Sequence, residues 1–156
     1  MVFSKLNKQL TELASFIKAG DQLNLKVSKK SSYWHLDHSC KVLHAISEAL
    51  TTSQPKDYQP KYSLPKLMIM TTGFIPRGKG RAPKQTLPTG DLSTEALYSN
   101  LEKIKEAIKD LNDLSKNNNF KHPVFGYLNL KDAIKFMGIH TQHHLKIMRA
   151  IVSNNS

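Results

Sequence analysis

Cysteine is nearly missing from this 156-residue chain, which has only Cys40. An internal disulfide is therefore excluded, as are a zinc knuckle and a paired-cysteine redox motif. Cys40 could serve as a nucleophile, but free cysteine is among the most buried residue types, so a small buried helix residue is expected. Long apolar runs are also missing. The longest candidate, Leu67 to Thr72, falls far short of the ~20 residues that cross a bilayer. Residues 1–19 lack the continuous apolar stretch and small-residue cleavage site of a secretory signal, so a cytoplasmic location is expected. Acids are scarce: 12 Asp and Glu stand against 23 Lys and Arg, a formal charge of +11. That balance invites an anionic partner. The densest basic stretch, Pro76 to Lys84, holds Arg77, Lys79, Arg81 and Lys84 without an acid. It also has no aromatic ring on which a base could stack, so nucleic-acid binding is not expected as the main function.

What remains has the composition of an ordinary globular protein, 39% apolar and 22% charged, long enough for one core. A single domain over residues 1–156 is expected. Phe3, Leu6, Leu10, Leu13, Phe16 and Ile17 recur at steps of three and four, which predicts a helix over 4–18 with Ser4 as N-cap and Gly20 as its stop. A second helix is expected over 33–50. It is apolar on two sides, one running through Leu36, Cys40 and Leu43 and the other through Val42, Ala45 and Ala49 beside His38, so it should lie centrally. A short helix over 64–72 begins with Pro65 in its first turn. Residues 73–90 hold four glycines among prolines and basic residues and read as irregular. Segments this long are often functional. Leu97, Leu101, Ile104, Ile108, Leu111 and Leu114 predict a helix over 93–116, capped by Ser93. Residues 120–127 read as a turn-rich link without strands. The last helix should run over 129–152, with Asp132 as a capping-box acid.

The last helix carries the most specific pattern. His140 and His144 stand four residues apart and therefore share one helix face, where two imidazoles can bind one metal ion without distorting the backbone. Two ligands seldom hold a metal, and zinc-like ions want three or four. His38 is the best third candidate, because a polar group on a buried stripe needs a partner. His35, one turn earlier, is a rival ligand. His143 points about 100° away from His144 and fits a supporting role, a substrate contact or the surface. His44 is expected to be partly exposed, and His122, before Pro123, to have a structural turn role. Asp37 could orient an imidazole, although a solvated acid is the commoner outcome. Thr141 stands where the zincin motif needs its Glu base, which argues against peptide hydrolysis by that route.

Three segments together resemble the DinB-like (YfiT-like) superfamily: Trp34-His35-Leu36-Asp37-His38-Ser39, His122-Pro123-Val124-Phe125-Gly126, and His140-Thr141-Gln142-His143-His144-Leu145. The closest likeness is to a subgroup with a histidine in the second helix, an HP-x-FG turn and an H-x-x-HHL segment in the last helix. The resemblance covers roughly residues 31–151. It implies an all-α, antiparallel four-helix bundle of up-down-down-up order. It also implies one divalent metal ion, often nickel or zinc, held by His38, His140 and His144 with open positions. Relatives include S-transferases that use a low-molecular-weight thiol and isomerase-like enzymes, and many are homodimers. A small-molecule substrate is thus expected. A metal-dependent hydrolase, a non-catalytic metal-binding protein with His35 or His143 as fourth ligand, and a basic nucleic-acid-binding protein are the alternatives. The stretch over 51–90 departs from the superfamily pattern and could cover or reshape the pocket. Its Arg77, Lys79 and Arg81 could hold an anionic cofactor or substrate.

Overall fold

A computed structural model describes residues 2–90 and 92–153. The ends of the expected 1–156 domain lie outside the described residues. Five helices and one hairpin follow in the order α1 (Val2–Ala19), α2 (Ser32–Thr52), α3 (Leu64–Thr72), α4 (Thr94–Asp110), β1 (Asn119–His122), β2 (Gly126–Asn129) and α5 (Leu130–Ser153).

The four long helices take their register from their apolar stripes. Leu6, Leu10, Leu13 and Ile17 of α1 meet Leu36, Leu43 and Leu50 of α2, Leu97, Leu101 and Ile104 of α4, and Met137, Leu145 and Met148 of α5 in one core. Both α1 and α2 pack against α4 and α5. Side-chain pairs give the directions. Gln9 bonds Gly138 and Gln142, and Glu12 bonds Arg149, so α1 and α5 run the same way. Tyr33 meets Thr94 and Asp37 meets Asn100, so α2 and α4 also run together. His35 meets His144 at one end of α2, and its other end joins the hairpin that leads into α5, so α2 opposes α5.

Several boundaries differ from expectation, each for a local reason. Helix α1 begins at Val2, which puts Ser4 inside the helix rather than at its cap. Helix α2 starts one residue early because Ser31 accepts the Trp34 N–H as a side-chain cap. Helix α3 has the expected bounds, with Ser63 as cap and Gly73 closing it at φ 65°, where a side chain would be strained. Helix α4 stops at Asp110 and tightens into a 3-10 turn over Leu111–Asp113. The tighter turn leaves Leu111 buried while the chain reverses toward β1.

The expected link over 120–127 is an antiparallel hairpin, so the chain is mostly helical rather than purely α. Its three-residue loop closes with Gly126 at φ 72°, a conformation that favours glycine. His122 stabilises the loop by accepting the Val124 and Phe125 N–H groups at Nδ1, and its ring stacks on Phe125. Asn118 ties the hairpin to α2 by donating to the Leu50 and Ser53 carbonyls. Asn129 rather than Asp132 caps α5, because the Asn129 carboxamide oxygen accepts the Asp132 N–H while the Asp132 carboxylate pairs with Lys66 at 2.7 Å. No helix among the described residues is long and apolar enough to cross a membrane.

Candidate metal centre

Helices α2 and α5 cross so that the His38 stripe faces the His140–His144 face. One ring nitrogen from each of the three lies within 4.8 Å of those of the other two. The ring centroids stand 4.8 Å apart for His38 and His144, 4.6 Å for His140 and His144, and 5.2 Å for His38 and His140. The cluster lies in the interior: His38 and His144 are buried, and His140 keeps part of its ring accessible.

Each imidazole is held differently. His38 Nδ1 lies 2.7 Å from the Thr86 carbonyl, which can only accept, so the proton is on Nδ1 and Nε2 carries a lone pair. His144 Nδ1 lies 2.9 Å from His35 Nδ1, and His35 Nε2 lies 2.9 Å from Ser28 Oγ. A consistent tautomer set has His144 donating to His35 and His35 donating to Ser28, which frees His144 Nε2. His140 Nδ1 is buried without a partner. Such an atom costs about 1–3 kcal/mol. The donor set fits a metal: three neutral imidazoles with a ring nitrogen each within 4.8 Å of the others, two of them with Nδ1 engaged by neighbouring groups.

Burial keeps these rings neutral. It is the leading cause that pushes His140 down to about 3, with the neighbouring His38 and His143 adding to it. His144 is lowered still more strongly, by burial and then by His140 and His38. In His38 burial outweighs the Thr86 hydrogen bond and the Asp37 carboxylate, both of which act upward. Neutral imidazole is the form that ligates metals.

The other candidates fall elsewhere. His35, the rival ligand, has both ring nitrogens engaged, Nδ1 by His144 and Nε2 by Ser28. Asp37 is buried and accepts from Asn100, with Lys41 at 3.2 Å, and so serves the α2–α4 contact. Its expected solvation fails because α4 covers it. His44 is exposed near Glu48. Cys40 is buried, and burial pushes its thiol up to about 12, so it is no nucleophile. Three participants carry little sequence signal. Thr86 acts through its backbone, and Ser28 sits in a polar turn. Trp34, the one tryptophan, stacks on His38 at 5.2 Å and stands edge-on to His35; its place four residues before His38 could have revealed it.

The segment over 73–90 folds back on this end, as the buried Thr86 shows, and Lys41 donates to the Leu87 carbonyl. A cleft of about 310 Å³ lies apart between α1, α3 and α5, against Lys5, Met70 and Gly138, and has no histidine on its walls.

No curated protein and no solved structure matches the chain. A family model described as the DinB superfamily matches residues 22–148, a span that takes in α2, the hairpin and all three clustered histidines. The chain thus belongs to the DinB superfamily.

Proposed function

We propose that this protein holds one divalent metal ion, nickel or zinc, through His38, His140 and His144, and acts with it as an enzyme on a small molecule. One observation carries the reading: three neutral imidazoles converge, each with a ring nitrogen within 4.8 Å of those of the other two. Three protein ligands with open positions are the pattern of catalytic rather than structural zinc. A bound ion would supply Lewis acidity, lowering the pKa of a ligated water or thiol toward neutral pH. The chain's own residues set the stage. Thr86 orients His38, and the His35–Ser28 pair orients His144. Trp34 and the 73–90 segment limit the access of water. S-transfer from a low-molecular-weight thiol is the concrete version, and a metal-dependent hydrolase is the nearby variant. The same reading makes the molecule a single-domain, cytoplasmic four-helix bundle of up-down-down-up order, supported by the side-chain pairings of α1, α2, α4 and α5. Homodimerisation is part of it, supported by exposed Leu64, Leu67 and Met68 on α3, which a second copy could bury.

Elemental analysis of tag-free protein tests the centre, beside His38→Ala, His140→Ala and His144→Ala. The expected result is about one metal per chain, lost in each variant while the helical signal persists. Because Trp34 stacks on His38, nickel should quench tryptophan emission in the parent and not in the variants. A wild-type chain that takes up neither nickel nor zinc at neutral pH sinks the reading.

A further inference from the structure

Beside the three-histidine cluster the molecule carries a second constellation that the metal does not use. A cleft of about 100 Å³ opens between the first turn of the 73–90 segment and α5, with Phe74, Ile75, Arg77, Gln142, His143 and Lys146 on its walls. No acid lines it. Arg77 and Lys146 both line it, beside His143. Neither Arg77 nor Lys146 has an ion pair among the described residues, although other bases on the same molecule do, such as Lys66 with Asp132 and Arg149 with Glu12. Two cations line one small cleft without an ion pair among the described residues, an arrangement an oxyanion would complete. Gln142 accepts from Gln9 through Oε1, which leaves its amide nitrogen as a further donor. The cleft also has a fixed relation to the cluster. His143 forms part of its wall, and the His143 ring centroid stands 5.0 Å from that of His144.

We propose that this cleft is an oxyanion subsite, in which Arg77 and Lys146 bind the carboxylate or phosphate of a small substrate whose other end reaches the three-histidine centre. Of the three basic residues expected from the sequence to hold an anion, only Arg77 belongs to the cleft; Lys79 and Arg81 do not line it. The anion site stands on its own geometry, and its role as a substrate subsite rests on the metal reading above. Phe74 and Ile75 supply an apolar wall, which suits a compact ligand with a short carbon chain more than a polyanion.

The first test uses the metal-free full chain and needs no metal. Inorganic phosphate and, separately, acetate are titrated while backbone amide resonances are followed by NMR. Saturable shifts confined to residues 73–77 and 142–146 are expected, with affinity reduced about tenfold in Arg77→Ala and in Lys146→Ala. Lys5→Ala and Lys135→Ala, on the walls of the larger cleft, should leave it unchanged. Shifts that never saturate, or that weaken equally in all four variants, would mean general charge screening and overturn the site. Tight, steeply salt-dependent binding of a short single-stranded DNA, with shifts spread over all the basic segments, would also overturn it. The second test compares 3-mercaptopropionate with 2-mercaptoethanol on nickel-loaded protein, read by thiolate-to-nickel absorption. The carboxylated thiol should bind about tenfold more tightly and lose that advantage in Arg77→Ala. Equal binding of the two thiols would overturn the subsite role. If nickel does not bind at all, the metal reading and the subsite role fail together, while the phosphate titration still decides the cleft.

Discussion

His35 differs from its neighbours in having both ring nitrogens engaged, one by His144 and one by Ser28. Its contribution is to select which nitrogen of His144 is bare. Partners of this kind usually matter by 10–100-fold in metal affinity. His35→Phe should therefore weaken nickel or zinc binding by about that factor while leaving one metal per chain at saturation, as isothermal titration would show. Full loss of the site would instead make His35 a ligand. At this scale the sequence was most informative about His140 and His144, since a spacing of four has one geometric meaning on a helix. It was least informative about the supporting groups. Thr86 offers only a carbonyl, which any residue could supply, and the Ser28–His35 contact depends on how the turn after Gly20 folds back.

Helices were easier to read than the pieces between them, because a stripe such as Leu97, Leu101, Ile104 and Ile108 extends over several turns. Each of these four is almost fully buried. Leu101→Ala should cost about 2–5 kcal/mol, measurable as a lower urea midpoint with an unchanged helical spectrum at low denaturant. A loss below 1 kcal/mol would mean that α4 carries little of the core. The hairpin was missed because its strands are only four residues long and carry no clean alternation. Pairing gives it regular structure, and contacts from outside give it support: Asn118 reaches α2, and the His122 ring lies edge-on to Phe136 of α5. Tertiary contacts of that sort leave no periodic trace. The end of α4 was overrun for a related reason, since Leu111 and Leu114 continue the stripe although the backbone has already tightened.

Across the whole molecule, the histidines make stability depend on pH. Burial lowers His35 and His122 to about 4 and His140 to about 3, with His38, His143 and His144 also lowered. His35, His122 and His140 stay neutral in the folded chain at pH 5, whereas in the unfolded chain they take up protons below about 6.5. The unfolded state thus binds more protons, and folding stability falls with falling pH. The contribution is complete above about pH 6.5 and is lost toward pH 4 and below, at up to ~1.4 kcal/mol per pH unit for each fully desolvated ring. Urea midpoints of the metal-free protein should decline from pH 7.5 to 5, and a flat profile would mean that the folded chain accepts those protons without strain. The overall charge of +11 was legible from composition, but the placing of Arg77 and Lys146 on one cleft was not, because they are brought together only after the chain folds back.

His35 and His144 touch although they stand 109 positions apart in the sequence. During synthesis, therefore, no partial version of the site exists while α1 to α4 emerge, and His38 waits alone until α5 leaves the ribosome and docks. Under the proposed reading, metal capture would be a late event, a check that the chain has been made through His144. A product broken off before α5 would carry His38 and the basic segment but could hold no metal by this route.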